Sequence, residues 1–251
     1  MDIMLRSALR EHHGLRNQLD KNLIGNHGDE WEKEFKKFLR KEPCWNDVQA
    51  GGSQAKLAHE FRREFLKNGG EIVKMCLSWE LFYCEEFGEN QDFSQLKIPE
   101  KQKGFNRLIV VAKGMTMNLT YYACTRKFLC ERYEKDLDAI VIENDSVSKE
   151  SYAIWVRDCV EADEGLKNLS AGDLLKRGIK GITLLERMLL ELKYFRETGK
   201  HLDIENITLC SGSRFPDDRV PGASWRDGGF GVCWFCSADR FSRLRSRAVV
   251  S

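Results

Sequence analysis

Val220-Pro-Gly-Ala-Ser-Trp-Arg-Asp-Gly-Gly-Phe-Gly-Val-Cys-Trp-Phe235 is the stretch from which the fold can be read. Residues that favour β-structure stand on both sides of Gly228-Gly229, a pair that suits a tight turn, so the pattern predicts two antiparallel strands joined as a hairpin. Side chains alternate between faces along a strand. Trp225, Val232 and Trp234 are therefore expected to face a core, with Val220 and Pro221 as further fixed points. Ser224, Arg226, Asp227, Cys233 and Phe235 are expected to face outward.

The composition around this hairpin is foreign to the rest of the chain. Lys, Glu, Gln and Met fill 55 of the first 205 positions and none of the 46 from Asn206 to Ser251. Were positions independent, a gap of that length would have a chance of about one in a million. Arg, Asp, Ser, Gly, Phe, Cys, Val and Ala take their place, with two tryptophans. Each of these except Trp has a codon ending in a pyrimidine, and Lys, Glu, Gln and Met do not. The segment has the look of asparagine codons whose adenines were replaced at random. A strand-rich end that prefers Arg to Lys is the alternative, since strands are poor in Glu and Lys, although missing Gln and Met fit it less well.

Short runs punctuate the segment: Cys210-Ser-Gly-Ser-Arg214, Val220-Pro221, Trp225, Val232-x-Trp234 and Leu244-Arg-x-Arg-Ala-Val249. Arg214, Arg245 and Arg247 read as structural forks that tie loops to backbone carbonyls or to carboxylates such as Asp203, with phosphate binding as the open alternative. The irregular positions between the runs are Phe215, Asp217, Asp218, Arg219, Ser224, Arg226, Asp227, Phe230, Cys233, Phe235, Ser237, Asp239, Arg240, Phe241 and Arg243. They are expected to form an exposed surface whose aromatics and arginines resemble the anchors of a paratope. Arg240, Arg243, Arg245 and Arg247 beside Phe241 also make a basic-aromatic cluster, a weak signal for nucleic acid without a recognisable nucleic-acid fold.

Upstream, Thr183-Leu-Leu-Glu186 is a capping box opening an amphipathic helix with Leu185, Met188, Leu189, Leu192 and Phe195 on one face and Gly199 at its end. Arg107 to Ala112 predicts a buried strand, Thr116 the N-cap of a helix running to about Arg132, and Tyr152 to Val156 a strand or a helix. Asp29 to Leu39, Ala55 to Leu66 and Ile72 to Phe87 read as amphipathic helices. The polar stretch Gly88 to Gly104 predicts a linker. The expected organisation is a mostly helical unit over residues 1–100 followed by a domain over 105–251, α+β in class.

The runs in the last segment, the capped helix and Glu197-Thr-Gly-Lys-His-Leu-Asp203 together resemble the variable proteins of diversity-generating retroelements found in uncultured bacteria with small genomes. That resemblance covers roughly the last hundred residues and extends weakly back to about Phe105. It implies a C-type lectin fold of the formylglycine-generating-enzyme type, a diversified segment over about 214–247 rewritten by mutagenic reverse transcription, and a non-enzymatic role in binding a protein or other macromolecule. Cys233-x-x-Cys236 supports the alternative, a formylglycine-generating-type oxidase or thiol enzyme, but it stands in a predicted strand with no second such pair to complete a zinc site.

No other motif competes. His12-His13 points two ways around a helix, Trp45-Asn46-Asp47 is a coincidental match to a calcium-site tripeptide, and no phosphate loop, catalytic triad or HExxH occurs, so neither a metal nor a cofactor is expected. A formal net charge of +1 calls for no polyanionic partner. Nine cysteines, an odd number in a chain of 251 residues, favour free thiols in a reducing compartment. The N-terminus lacks the apolar run of a signal peptide and no stretch is long enough to span a bilayer, so the expected site is cytoplasmic, with display at a surface left open.

Overall fold

The structure, a computed structural model, describes residues 70–251 together with the isolated helical positions Asp29, Glu32 and Lys33. His12-His13, Trp45-Asn46-Asp47, the helix expected over 55–66 and most of that over 29–39 lie outside the described residues. The chain divides into two units, Met1–Gly70 and Glu71–Ser251, and the second is a mixed α+β fold.

Its elements begin with helix α1 (Glu71–Phe87), strand β1 (Arg107–Val111), helix α2 (Met117–Thr125), strand β2 (Cys130–Arg132) and helix α3 (Leu137–Ile140). Strands β3 (Glu143–Asn144) and β4 (Tyr152–Val156) follow, then helices α4 (Ala171–Lys176) and α5 (Leu184–Thr198). The chain ends in β5 (Ile207–Leu209), β6 (Ser213–Arg214), β7 (Val220–Arg226), β8 (Gly229–Phe235) and β9 (Leu244–Arg245). β1 and β4 form an antiparallel ribbon, which Val250 joins through Trp155. The main sheet has the order β2-β8-β7-β5-β9.

β7 and β8 make the expected hairpin, from Val220↔Phe235 to Arg226↔Gly229. The turn falls on Asp227-Gly228, one residue earlier than the Gly228-Gly229 pair suggested. Both turn residues have positive φ, 54° and 80°, as a type I′ turn requires. The α5 capping box is present in full: Thr183 Oγ1 accepts from Glu186 N, and Glu186 Oε2 accepts from Thr183 N at 2.7 Å. Gly199 closes the helix in the left-handed region. α2, β1 and β7 all pack on α5, which buries every residue from Leu184 to Lys193.

Two sequence expectations fail for reasons of long-range contact. Helix α2 stops at Thr125 rather than near Arg132, because residues 130–132 pair in parallel with β8, a hundred residues later. The domain boundary falls at Gly70–Glu71 rather than between 100 and 105, because α1 belongs to the core. Trp79 Nε1 donates to the Leu108 carbonyl at 3.0 Å, while the Tyr83 hydroxyl donates to the Val110 carbonyl at 2.8 Å and accepts from Ala112 N at 3.0 Å. The supposed linker is a strap on that core, with Phe93 buried and the Pro99 carbonyl accepting from Trp155 Nε1 at 2.9 Å.

An ionic knot closes the inner side of the sheet. Asp203, fully buried, takes Arg187 on one carboxylate oxygen and Arg247 on the other, each at 2.8 Å. Arg187 also holds Glu191 at 2.8 Å, and Arg247 donates to the carbonyls of Cys159 and Val160 at 2.9 and 2.7 Å. Charges this deep are tolerated when each is paired with an opposite one. Arg214 and Arg245 also serve structure: Arg214 donates to the Ser211 and Ser213 carbonyls and Arg245 pairs with Glu164.

Candidate functional site

The two faces of the β2-β8-β7 region differ in size of side chain. Directly opposed residues share a face. On the inner face Phe230 pairs with Trp225 and Val232 with Ala223, packing toward α5. On the outer face β8 contributes Gly229, Gly231 and Cys233, which are all small. Beside them β2 and its flanking residues present Leu129, Glu131 and Tyr133, since Glu131 stands level with Gly231 and the ladder continues through Phe230 N to the Leu129 carbonyl at 2.9 Å. On the other side stand Arg226 and Ser224 of β7.

A low central strand between taller neighbours makes a groove of about 820 Å³. Its far wall is completed by Ile207, Phe235, Phe241 and Arg243. Beyond Phe235 the same sheet face is covered by a second small core of Ala171, Ile207, Leu209, Val220 and Leu244, which stops the groove at that end. Phe235 lies where a side chain at Gly222 would otherwise stand. Gly231 opens into the groove: a Cβ there would meet just the Ser224 carbonyl, at 3.9 Å.

The groove is polar at its rim and unevenly paired. The side chains of Glu131, Arg226 and Asp227 make no hydrogen bond or ion pair to any described residue, while Arg243 Nε donates to the Glu205 carbonyl at 2.8 Å. Leu129 and Tyr133 are 62% and 78% exposed, high values for large apolar bodies, and Trp234 and Phe241 are exposed as well. Cys233 Sγ donates to the Gly222 carbonyl at 3.6 Å, and burial pushes its thiol up to about 11. At neutral pH it is a protonated thiol and a weak nucleophile. Cys236 is exposed, and all eight described cysteines are free.

Of the fifteen positions expected to be an exposed surface, Ser224, Arg226, Asp227, Phe230, Cys233, Phe235, Phe241 and Arg243 line the groove. Asp217, Asp218, Arg219, Ser237, Asp239 and Arg240 lie elsewhere and are tied locally. Asp217 pairs with Arg219 at 2.6 Å, Ser237 donates to Asp218 at 2.7 Å, Asp239 accepts from Cys236 N at 2.8 Å and Arg240 reaches Asp173 at 2.8 Å. Phe215, Ser224 and Phe230 are corrections, all three being buried. Phe230 shares its face with Val232 and is opposed by Trp225; Phe215 lies under the Arg219 guanidinium. Ser224 has outward parity and lines the groove, yet it is only 8% exposed.

Among the anchors, Val220, Pro221, Val232, Leu244 and Arg247 are buried. Trp225 is partly buried, stacked on His201 and edge-on to Phe128. Trp234 is a correction: although it has inward parity, it sits where β8 outruns the core, 41% exposed with the Arg219 guanidinium 4.3 Å from its ring centroid. Leu129, Glu131, Tyr133 and Ile207 were not foreseen. The alternation of Leu129-Cys-Glu-Arg-Tyr133 is a strand signal, masked by its position after a helix.

Among the described residues no group of three His, Cys, Asp or Glu is arranged to hold a metal, and no described helix is long and apolar enough to cross a membrane. Compared with known proteins, the chain matches no family model, no curated protein and no solved structure.

Proposed function

We propose that the chain is a non-enzymatic binding protein of the kind diversified by retroelements, on a C-type lectin-like scaffold, and that its groove takes a protein or other macromolecular ligand. The observation that carries this reading is a coincidence of two independent features. The segment without Lys, Glu, Gln or Met is also the one that supplies the floor and the far wall of the groove.

The strand parity adds support. Outward positions of the hairpin hold Ser224, Arg226, Gly229, Gly231, Cys233 and Phe235, all residues with pyrimidine-ended codons, whereas both tryptophans of the segment have inward parity. Replacing adenines in asparagine codons cannot produce Trp. Exposed Tyr133 and Phe241 beside Arg226 and Arg243 are the residue types that dominate binding energy at protein interfaces. The thiol-enzyme alternative draws little from Cys233, which is held neutral on a strand rather than activated.

Sequencing this gene from sister cells tests the proposal. Differences should concentrate at 224, 226, 229, 231, 233, 235, 241 and 243 and trace to adenines in a nearby imperfect repeat. Differences spread evenly along 71–251 would overturn it.

A further inference from the structure

We infer that Glu131 is a fixed cation subsite, and that the groove's ligand is an extended polypeptide segment that lays a lysine or arginine side chain against this carboxylate whatever sequence the opposite wall carries. The inference rests on the proposed binding role of the groove. Its starting point is that the groove has walls of two origins. The β2 wall precedes the compositionally distinct segment by some seventy-five residues, so its chemistry is constant when the other wall changes.

Glu131 is exposed, stands level with Gly231 at mid-groove and is flanked on the same face by Leu129 and Tyr133. The adjacent cation does not neutralise it: Arg132 points to the other side of β2, where Nη1 donates to Asn118 Oδ1 at 2.9 Å and the guanidinium lies 4.4 Å from the Tyr121 ring centroid. A ligand that covers Glu131 must therefore bring its own positive charge, because a carboxylate desolvated without a partner cancels much of what a good interface residue contributes. The neighbours suit an amine or guanidinium on a long stem. The Leu129 side chain can line the methylenes and the Tyr133 ring can face the cation.

The spacing points to a polypeptide. Leu129, Glu131 and Tyr133 follow one another at two-residue steps of a strand, about 6.5–7 Å each, which is also the spacing of same-face side chains on an extended peptide. A basic residue with apolar residues two places before and after it matches the wall in both period and polarity. A phosphate backbone would find Arg226 and Arg243 on one wall but would have to pass the unpaired carboxylates Glu131 and Asp227.

A displayed library of random linear peptides, panned against the full chain, tests this. Enriched peptides are expected to carry a Lys or Arg flanked at two residues by apolar side chains. Glu131→Gln should weaken their binding about tenfold or more with thermal unfolding unchanged, and Glu131→Lys should shift enrichment to acidic peptides. Exchanging Arg226, Cys233 and Phe235 together should alter the rest of the consensus and leave the basic position in place. Gly231→Leu, which fills the groove floor, should abolish all of it. Peptides that are lost with Gly231→Leu yet lack a basic residue, or are indifferent to Glu131→Gln, would overturn the cation subsite and leave the groove reading intact. Peptides indifferent to Gly231→Leu would overturn the groove itself, and no enrichment from any peptide would overturn the polypeptide assignment.

Discussion

Asp203 carries two guanidinium groups with no exposed surface and a φ of 53°, a conformation that few residues other than glycine adopt. Burial alone would raise its carboxyl, but Arg247 and Arg187, with a hydrogen bond from Thr208, outweigh that and hold it below the ordinary carboxylate range. A carboxyl whose folded value lies under its unfolded value, near 4, stabilises the fold above that pH, and the contribution is lost as pH falls through the folded value. Asp203→Asn is therefore expected to cost about 3 kcal/mol or more at pH 7, with the gap from the parent narrowing below about pH 4 in urea unfolding. The tie from Arg247 to Asp203 was legible in the sequence, because both stand in short fixed runs of the C-terminal region. The part played by Arg187 and Glu191 was not. Their spacing of four residues on a helix is the same for a solvated pair as for a buried one, and only the packing of β7 over that face of α5 makes them core.

The hairpin separates two kinds of glycine within four residues. Gly228 sits at φ 80° in the turn, so Gly228→Ala strains the backbone and should lower stability by about 1 kcal/mol. Gly231 has ordinary φ and open space above it, so Gly231→Ala should raise the melting temperature by about 1–3 °C, a contrast that calorimetry on the two variants can check. Elements governed by neighbours in sequence were readable: the capping box of α5, the Thr116 cap of α2 and the β7–β8 pairing. β2 was not, since nothing in residues 126–133 names a partner a hundred positions away. Period-two alternation gave the faces of Val232, Cys233, Trp234 and Phe235 in β8 but not that of Phe230, expected outside and fully buried, and it gave no depth, as Trp234 shows. It has the parity of Val232 and yet stands in solvent, because the core ends before the strand does.

For the whole molecule, the boundary at Gly70–Glu71 makes a clear prediction. Residues 71–251 expressed alone should unfold cooperatively, whereas a chain starting at residue 105 loses the Trp79 and Tyr83 bonds to β1 and should lack a sharp transition; circular dichroism melts and limited proteolysis distinguish the two. Composition pointed to the wrong boundary because a polar, irregular stretch can be either a free tether or a strap, and the difference lies in what its carbonyls and phenylalanine touch. The parallel pairing of β2 with β8 has one more consequence, which concerns synthesis. As the chain leaves the ribosome, Leu129 and Tyr133 wait for the strand that will lie beside them, and Asp203 and Arg187 wait for Arg247, more than forty residues later. A copy that stops or shifts frame before Arg247 leaves a buried carboxylate half-paired and the ribbon at Trp155 unsealed, so it stays open to proteases. Folding of this unit thus waits until translation has passed Arg247.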